Sequence, residues 1–176
     1  MGVYEPFDDT FLMMENISPT GKCLEVGCGS GLVSVYMAGC GCDVMACDIN
    51  PSALRCMEKN AAINHCEVKT VESDLFENIS GRFDTIVFNP PYLPSEDQVP
   101  GAEQWNGGKE GFETTEKFLA QCPEHLNDGG RIFIILSSLT DIESFIRKRE
   151  EFTFTKLGEK KFFFESIYCY EIQIKN

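Results

Sequence analysis

The segment K-C-L-E-V, residues 22–26, runs directly into G-C-G-S-G and then into a stretch carrying Leu32, Val33, Val35, Tyr36 and Met37. A strand that feeds a helix through a glycine turn is the opening of a β-α-β unit, and it constrains the fold more than any other feature of this chain. Gly27, Gly29 and Gly31 permit the tight turn and let the backbone approach a ligand closely. A purely structural strand-to-helix turn would use the same glycines, so the loop has to be read with its neighbours.

Those neighbours continue the alternation, which reads as an α/β sheet. D-V-M-A-C-D, residues 43–48, is a second strand ended by Asn50-Pro51, and Pro51 with Ser52 opens a helix through about Asn64. C-E-V-K-T-V, residues 66–71, is a third strand of weaker alternation, and D-T-I-V-F-N is the fourth. Gly130 to Leu136 reads as the fifth, between helices expected from Phe112 to about Gln121 and over Asp141 to Glu150. F-T-F-T-K-L, K-F-F-F and S-I-Y-C-Y-E-I-Q-I are expected to close the chain as antiparallel strands about a turn at Gly158-Glu159. Leu93 to Lys109 reads as a loop, and loops of that length in compact domains are usually functional. No repeat or linker interrupts the series, so residues 1–176 are expected to form a single domain.

Composition excludes several classes. Hydrophobic residues at 43% and charged residues at 24% are a globular profile, not that of a disordered chain. No run approaches the roughly 20 apolar residues of a membrane span, and the start M-G-V-Y-E-P has neither the basic nor the apolar part of a signal peptide. The nine cysteines (23, 28, 40, 42, 47, 56, 66, 122 and 169) are odd in number and mostly lie in apolar runs, which predicts reduced, buried thiols in a cytoplasmic protein. Cys40-Gly41-Cys42 lacks C-x-x-C spacing and a nearby His, so no metal is expected in this chain. A net charge of −13 with only 15 basic residues argues against direct DNA binding, which depends on phosphate neutralisation. A protein substrate, or a partner supplying basic surface, fits better. His65 and His125 fall in loop or helix-end positions and are assigned no catalytic role.

The loop's context points to a nucleoside ligand. Asp48 closes the second strand, where a carboxylate can accept both ribose hydroxyls; the same position also suits a helix N-cap. G-x-G-x-G lacks the last glycine of the dinucleotide fingerprint, and Glu25 precedes it where a pyrophosphate would be repelled. A cationic sulfonium with an ammonium group instead favours a nearby carboxylate, which turns the reading to S-adenosyl-L-methionine. Asp74 in S-D-L-F would accept from the adenine amino group beside the Leu75 backbone, although Asp is also a common turn residue. Asn89-Pro90-Pro91-Tyr92 ends the fourth strand, because proline cannot continue a ladder. It fixes an amide, a carbonyl and a ring at the strand's carboxyl end. The Asn89 side-chain oxygen and the Pro90 carbonyl can each accept one N–H of a planar NH2 group, while Tyr92 stacks on it.

In this order and spacing, L-E-V-G-C-G-S-G, D-I-N-P, S-D-L-F and N-P-P-Y resemble the class I S-adenosylmethionine-dependent methyltransferases. Within that class they are similar to the HemK-like glutamine N5-methyltransferases of translation release factors. Y-E-P-F-D-D-T-F (Tyr4 to Phe11) and W-N-G-G-K-E-G (Trp105 to Gly111) extend the resemblance over most of the chain. It implies a Rossmann-like, seven-stranded, mostly parallel sheet with an antiparallel C-terminal strand and helices on both faces. It also implies contacts to the cofactor from Thr10, Glu25, Gly27, Gly29, Asp48, Asp74, Leu75 and Asn89, catalysis by Asn89, Pro90 and Tyr92, and S-adenosyl-L-homocysteine as product. The start near Y-E-P is similar to the eukaryotic and archaeal branch, whose catalytic subunit pairs with a small zinc-binding activator and acts on a class 1 release factor. N-P-P-Y is shared with methyltransferases of adenine N6 in nucleic acids, and a lysine substrate is a further alternative.

Overall fold

The computed structural model describes residue 3 and residues 5–91 and 111–175. In chain order the elements are α1 (Asp8–Asn16), β1 (Lys22–Val26), α2 (Leu32–Gly39), β2 (Asp43–Asp48), α3 (Pro51–Ile63), β3 (Val68–Glu72), β4 (Phe83–Phe88), α4 (Glu113–His125), β5 (Leu126–Ser137), α5 (Ile142–Arg147), β6 (Phe152–Lys161) and β7 (Ser166–Ile174). The strands form one sheet of seven in the order β3-β2-β1-β4-β5-β7-β6. From β3 to β5 the pairings are parallel, and β7 runs antiparallel to both β5 and β6.

Side-chain alternation sorts the core into two layers. Leu24 and Val26 of β1, Ile86 and Phe88 of β4, and Ile132, Ile134 and Leu136 of β5 face Phe118 and Leu119 of α4 and Phe145 of α5. The intervening residues Cys23, Val87, Phe133 and Ile135 face Leu12 and Met13 of α1 and Val33 and Met37 of α2. Ala46 of β2 continues that second layer beneath Leu54, Met57 and Ala61 of α3. Covered on both sides, the central strands read as nearly continuous apolar runs, as buried parallel strands do.

Several boundaries differ from the sequence reading, each for a local reason. The helix α1 was not anticipated; its buried stripe of Asp9, Thr10, Leu12 and Met13 mixes polar and apolar residues, which hides the helical period. Strand β3 begins at Val68 and not at Cys66, because Cys66 N donates to Ala61 O at 2.9 Å and His65 N to Ala62 O at 3.2 Å. With His65 at φ 56°, this is a Schellman closure of α3 that consumes the residues expected to start the strand. Strand β5 starts earlier, at Leu126, and α5 is shorter than expected.

The C-terminal turn is not at Gly158-Glu159. Strand β6 runs through those residues with a register shift between Lys156 and Gly158, and the reversal falls at 162–165, where Phe162 N donates to Glu165 O at 2.7 Å. Gly158 lies at that bulge, where a Cβ would strike the end of the Asn16 side chain of α1 and force it to move, a close approach that glycine makes without displacement.

The turn between β1 and α2 depends on Gly31, whose φ is 77° and whose added methyl would overlap Cβ and Cγ of Met57 on α3. Gly31→Ala is therefore expected to cost about 2–3 kcal/mol through backbone strain and overpacking. Urea unfolding at fixed pH checks this: the midpoint should fall with an unchanged slope, and a midpoint equal to that of the parent would refute the packing described.

Candidate active site

Register brings the chemistry-bearing loops together. Val26 lies opposite Cys47 on one side and Phe88 on the other, and Asp48 lies opposite Glu72. The carboxyl ends of β3, β2, β1 and β4 therefore form one line, carrying in order Asp74-Leu75, Asp48, the glycine loop and Asn89-Pro90. Ligands of open α/β sheets bind along such a line. Three strand spacings make it about 14 Å long, room for an elongated nucleoside derivative.

Gly27, Gly29 and Gly31 all hold positive φ, and a Cβ on Gly27 would sit 3.4 Å from the Phe88 ring. The loop thus lies directly against the end of β4. It is tied to β2 by Cys28 N donating to Cys47 O at 3.0 Å and by Gly29 N donating to Asp48 Oδ2 at 2.9 Å. The other Asp48 oxygen accepts from Asn50 N at 2.8 Å. Asp48 does not cap α3: Asn50 does, its side chain accepting from Ser52 N at 2.9 Å. Asp74 is exposed in the turn after β3, and Leu75 adopts φ 48°. That turn is organised by the buried Ser73, whose hydroxyl donates to Leu75 O at 3.0 Å and accepts from Asn78 N at 3.0 Å.

Glu25 points to the α1/α2 side of the sheet, since Leu24 and Val26 take the other face. It is 7% exposed, and its Oε2 accepts from Ser34 N at 2.8 Å and from the Ser34 hydroxyl. Gly31, the N-cap of α2, has no side chain, so Glu25 supplies the missing cap to a donor in the first turn. Burial pushes the Glu25 carboxyl up to about 8, with Asp48 adding to the rise and the Ser34 hydrogen bonds opposing it.

At the end of β4, Asn89 Nδ2 donates to Asp9 Oδ2 at 2.9 Å. Asp9 lies on α1 at 3% exposure, and its other oxygen accepts from Thr10 N at 2.6 Å. Asn89 Oδ1 is buried and has no hydrogen-bond partner among the described residues. Pro90 is buried behind it. Tyr4, Tyr92, the loop expected over 93–109 and most of W-N-G-G-K-E-G lie outside the described residues.

Sequence reasoning missed Asp9 and Ser34. An acidic residue in register with Leu12 and Met13 on a helix stripe was the available signal for Asp9, because buried carboxylates are rare and paired. For Ser34 the signal was its place three residues after a glycine cap that has no acceptor of its own.

A mostly parallel sheet in the order 3-2-1-4-5-7-6, a positive-φ glycine loop after β1, Glu25 within β1, Asp48 at the end of β2 and Asp74 after β3 define a class I methyltransferase, an enzyme whose cofactor is S-adenosyl-L-methionine. The family model described as methyltransferase small domain matches residues 7–164, and the chain belongs to that family. Over 153 residues it is 40% identical to MJ0928 of Methanocaldococcus jannaschii, provisionally named a protein N5-glutamine methyltransferase, covering 83% of this chain and 78% of that one. Mouse methyltransferase HEMK2 is 36% identical over 151 residues, covering 76% and 71%. Among solved structures, the E. cuniculi Mtq2-Trm112 complex, described as methylating the eRF1 termination factor, aligns at a TM-score of 0.77. It is 21% identical and covers 99% of this chain and 100% of that chain.

The residues present fit this cofactor. Its cationic sulfonium and ammonium groups suit a line that carries Asp48 and Asp74, and Gly27, Gly29 and Gly31 have no side chain to hold a ligand off.

The Glu25 carboxyl ionises at about 8 in the folded chain against 4.5 ordinarily. Between those values the folded state keeps a proton that the unfolded state has lost, so stability falls as pH rises, by about 1.4 kcal/mol per unit from this group. Glu25→Gln retains an acceptor for Ser34 and is expected to flatten that fall and to be the more stable protein at pH 8. Urea titrations at pH 6, 7 and 8 measure it; parallel pH slopes in the two proteins would contradict the burial argument.

Proposed function

We propose that this chain catalyses S-adenosylmethionine-dependent N5-methylation of a glutamine side-chain amide, in the Gly-Gly-Gln segment of a class 1 release factor. The observation that carries the reading is the buried Asn89 Oδ1, without a hydrogen-bond partner among the described residues, at the end of β4 next to the glycine loop. The names borne by MJ0928 and by the E. cuniculi complex support the choice of glutamine and release factor.

An amide nitrogen is a poor nucleophile because its lone pair is delocalised into the carbonyl. S-adenosylmethionine, when bound, supplies an activated methyl group on a sulfonium. Asn89 Oδ1 and the Pro90 carbonyl accept the two N–H groups of the substrate amide and turn its nitrogen toward that methyl. Both hydrogen bonds strengthen as positive charge develops on nitrogen, so they favour the transition state over the ground state. Pro90 and Pro91 stiffen the backbone that carries these acceptors. Tyr92 stacks on the planar group and fixes its orientation. Once the methyl has moved, the nitrogen is acidic enough to lose its proton to solvent, so no side chain is needed as base.

The chain acts as the catalytic subunit of a cytoplasmic heterodimer with a small zinc-binding activator. Strand β3 ends the sheet order, and its outer edge can accept a strand from such a partner. The negative net charge, −13, favours a protein over a nucleic acid as substrate.

Labelled S-adenosylmethionine, release factor and activator test the activity: label should enter the wild-type factor and not one with the Gly-Gly-Gln glutamine replaced. Label that enters RNA or DNA and is lost on nuclease treatment would replace glutamine by adenine. Asn89→Ala is expected to lower kcat by about 100-fold or more, the scale for one transition-state acceptor or donor, with cofactor affinity largely kept. The chain expressed alone is expected to aggregate and to become soluble on co-expression with the activator; a monodisperse, fully active lone subunit would refute the heterodimer.

A further inference from the structure

The contact between Asp9 Oδ2 and Asn89 Nδ2 has only one chemical sense. A carboxylate accepts and cannot donate, whereas an amide has an accepting oxygen at one corner and a donating NH2 at the other. Turning the Asn89 amide over would set two oxygens against each other in a buried place. From this geometry we infer that Asp9 is a positioning residue: it fixes the hydrogen-bond polarity of Asn89, so that the site admits a planar NH2 donor and rejects groups that offer only an acceptor. The inference rests on the reading of Asn89 as the acceptor for substrate.

Both partners are held. Asp9 Oδ1 accepts from Thr10 N at 2.6 Å and Thr10 Oγ1 at 3.3 Å, and the helix that carries it is seated through the buried Leu12 and Met13. Lys160 Nζ on β6 pairs with Asp8 Oδ1 at 2.6 Å, one residue away. On the other side, Asn89 directly succeeds the last residue of β4 and precedes two prolines. With its NH2 committed to Asp9, Asn89 presents Oδ1, which is buried without a partner among the described residues. A substrate N–H satisfies that oxygen, and a substrate oxygen placed there would leave two buried acceptors unpaired. The Asp9 charge also polarises the amide toward Oδ1, where positive charge develops on the substrate nitrogen during transfer.

A reciprocal exchange of the two side chains tests this. Asp9→Asn is expected to lower kcat about 10- to 100-fold with the Kd for S-adenosylmethionine within about threefold. Asn89→Asp places two carboxylates face to face and is expected to lose as much. In the double variant, Asp9→Asn with Asn89→Asp, position 9 donates and position 89 accepts, leaving one carboxylate oxygen for the substrate. It is expected to recover about tenfold or more over Asn89→Asp alone, which a merely structural pair would not do. A kcat for Asp9→Asn within about twofold of wild type, or a double variant no better than Asn89→Asp, would overturn the inference. If wild type transfers no methyl to glutamine, the substrate reading fails first, and the pair is then judged without substrate. The Asn89 side-chain amide, assigned by its absence in Asn89→Ser, should show NH2 protons protected from exchange with water in nitrogen–proton NMR spectra. That protection should vanish in Asp9→Ala; protection that persists would overturn the positioning role.

Discussion

Everything at the site depends on the parallel register of β1 with its two neighbours. Because Val26 lies opposite both Cys47 and Phe88, three strands end at the same height, and the loops that leave them are brought side by side. The glycine loop, Asp48 and Asn89 are distant in sequence and adjacent in space because of this register, and hydrogen bonds from Gly29 to Asp48 and from Asn89 to Asp9 then fix them there. The register is enforced from both faces, since a slip by one residue would move Leu24 and Val26 out from under α4 and put Glu25 there instead. Hydrophobic packing of the centre and placement of polar groups at the rim are thus one constraint.

Much of this was legible in the sequence. The strand cores, the glycine turn and the strand-ending prolines are local signals, governed by a period of two, by positive φ and by the missing proline N–H. What escaped reading were features decided by distant partners. Helix α1 carries the buried Asp9 because it meets Asn89 across 80 positions of sequence; the local stripe signals that Asp9 is buried but not which residue it meets. The final hairpin was misplaced because Gly158 signals a turn locally, whereas its lack of a side chain answers to Asn16 of α1.

The site residues named from sequence divide in the same way. Asn89 and Pro90 stand where their motif puts them, with Asn89 Oδ1 available. Glu25 and Asp48 stand at the expected strand ends, but their hydrogen bonds run into the scaffold: Glu25 caps α2 through Ser34, and Asp48 clips the glycine loop and the start of α3. A carboxylate oxygen has two lone pairs, so holding a backbone N–H does not remove it from a ligand's reach. It does fix where it points.

This double use explains how the fold tolerates so acidic a rim. Each carboxylate near the loop is approached by N–H donors of the fold: Ser34 N at Glu25, Gly29 N and Asn50 N at Asp48, Thr10 N and Asn89 Nδ2 at Asp9. Those donors offset part of the cost of gathering like charges and hold the oxygens in place before any ligand arrives, which reduces the ordering that binding must impose. Glu25, buried beneath α2, is pushed up to about 8 chiefly by desolvation, with Asp48 adding to the rise; its cost is mainly that of burying a carboxyl. A cationic ligand laid along the strand ends offsets the like charge gathered there. The polarity that makes the site selective for such a ligand is therefore the same polarity that the fold spends stability to maintain.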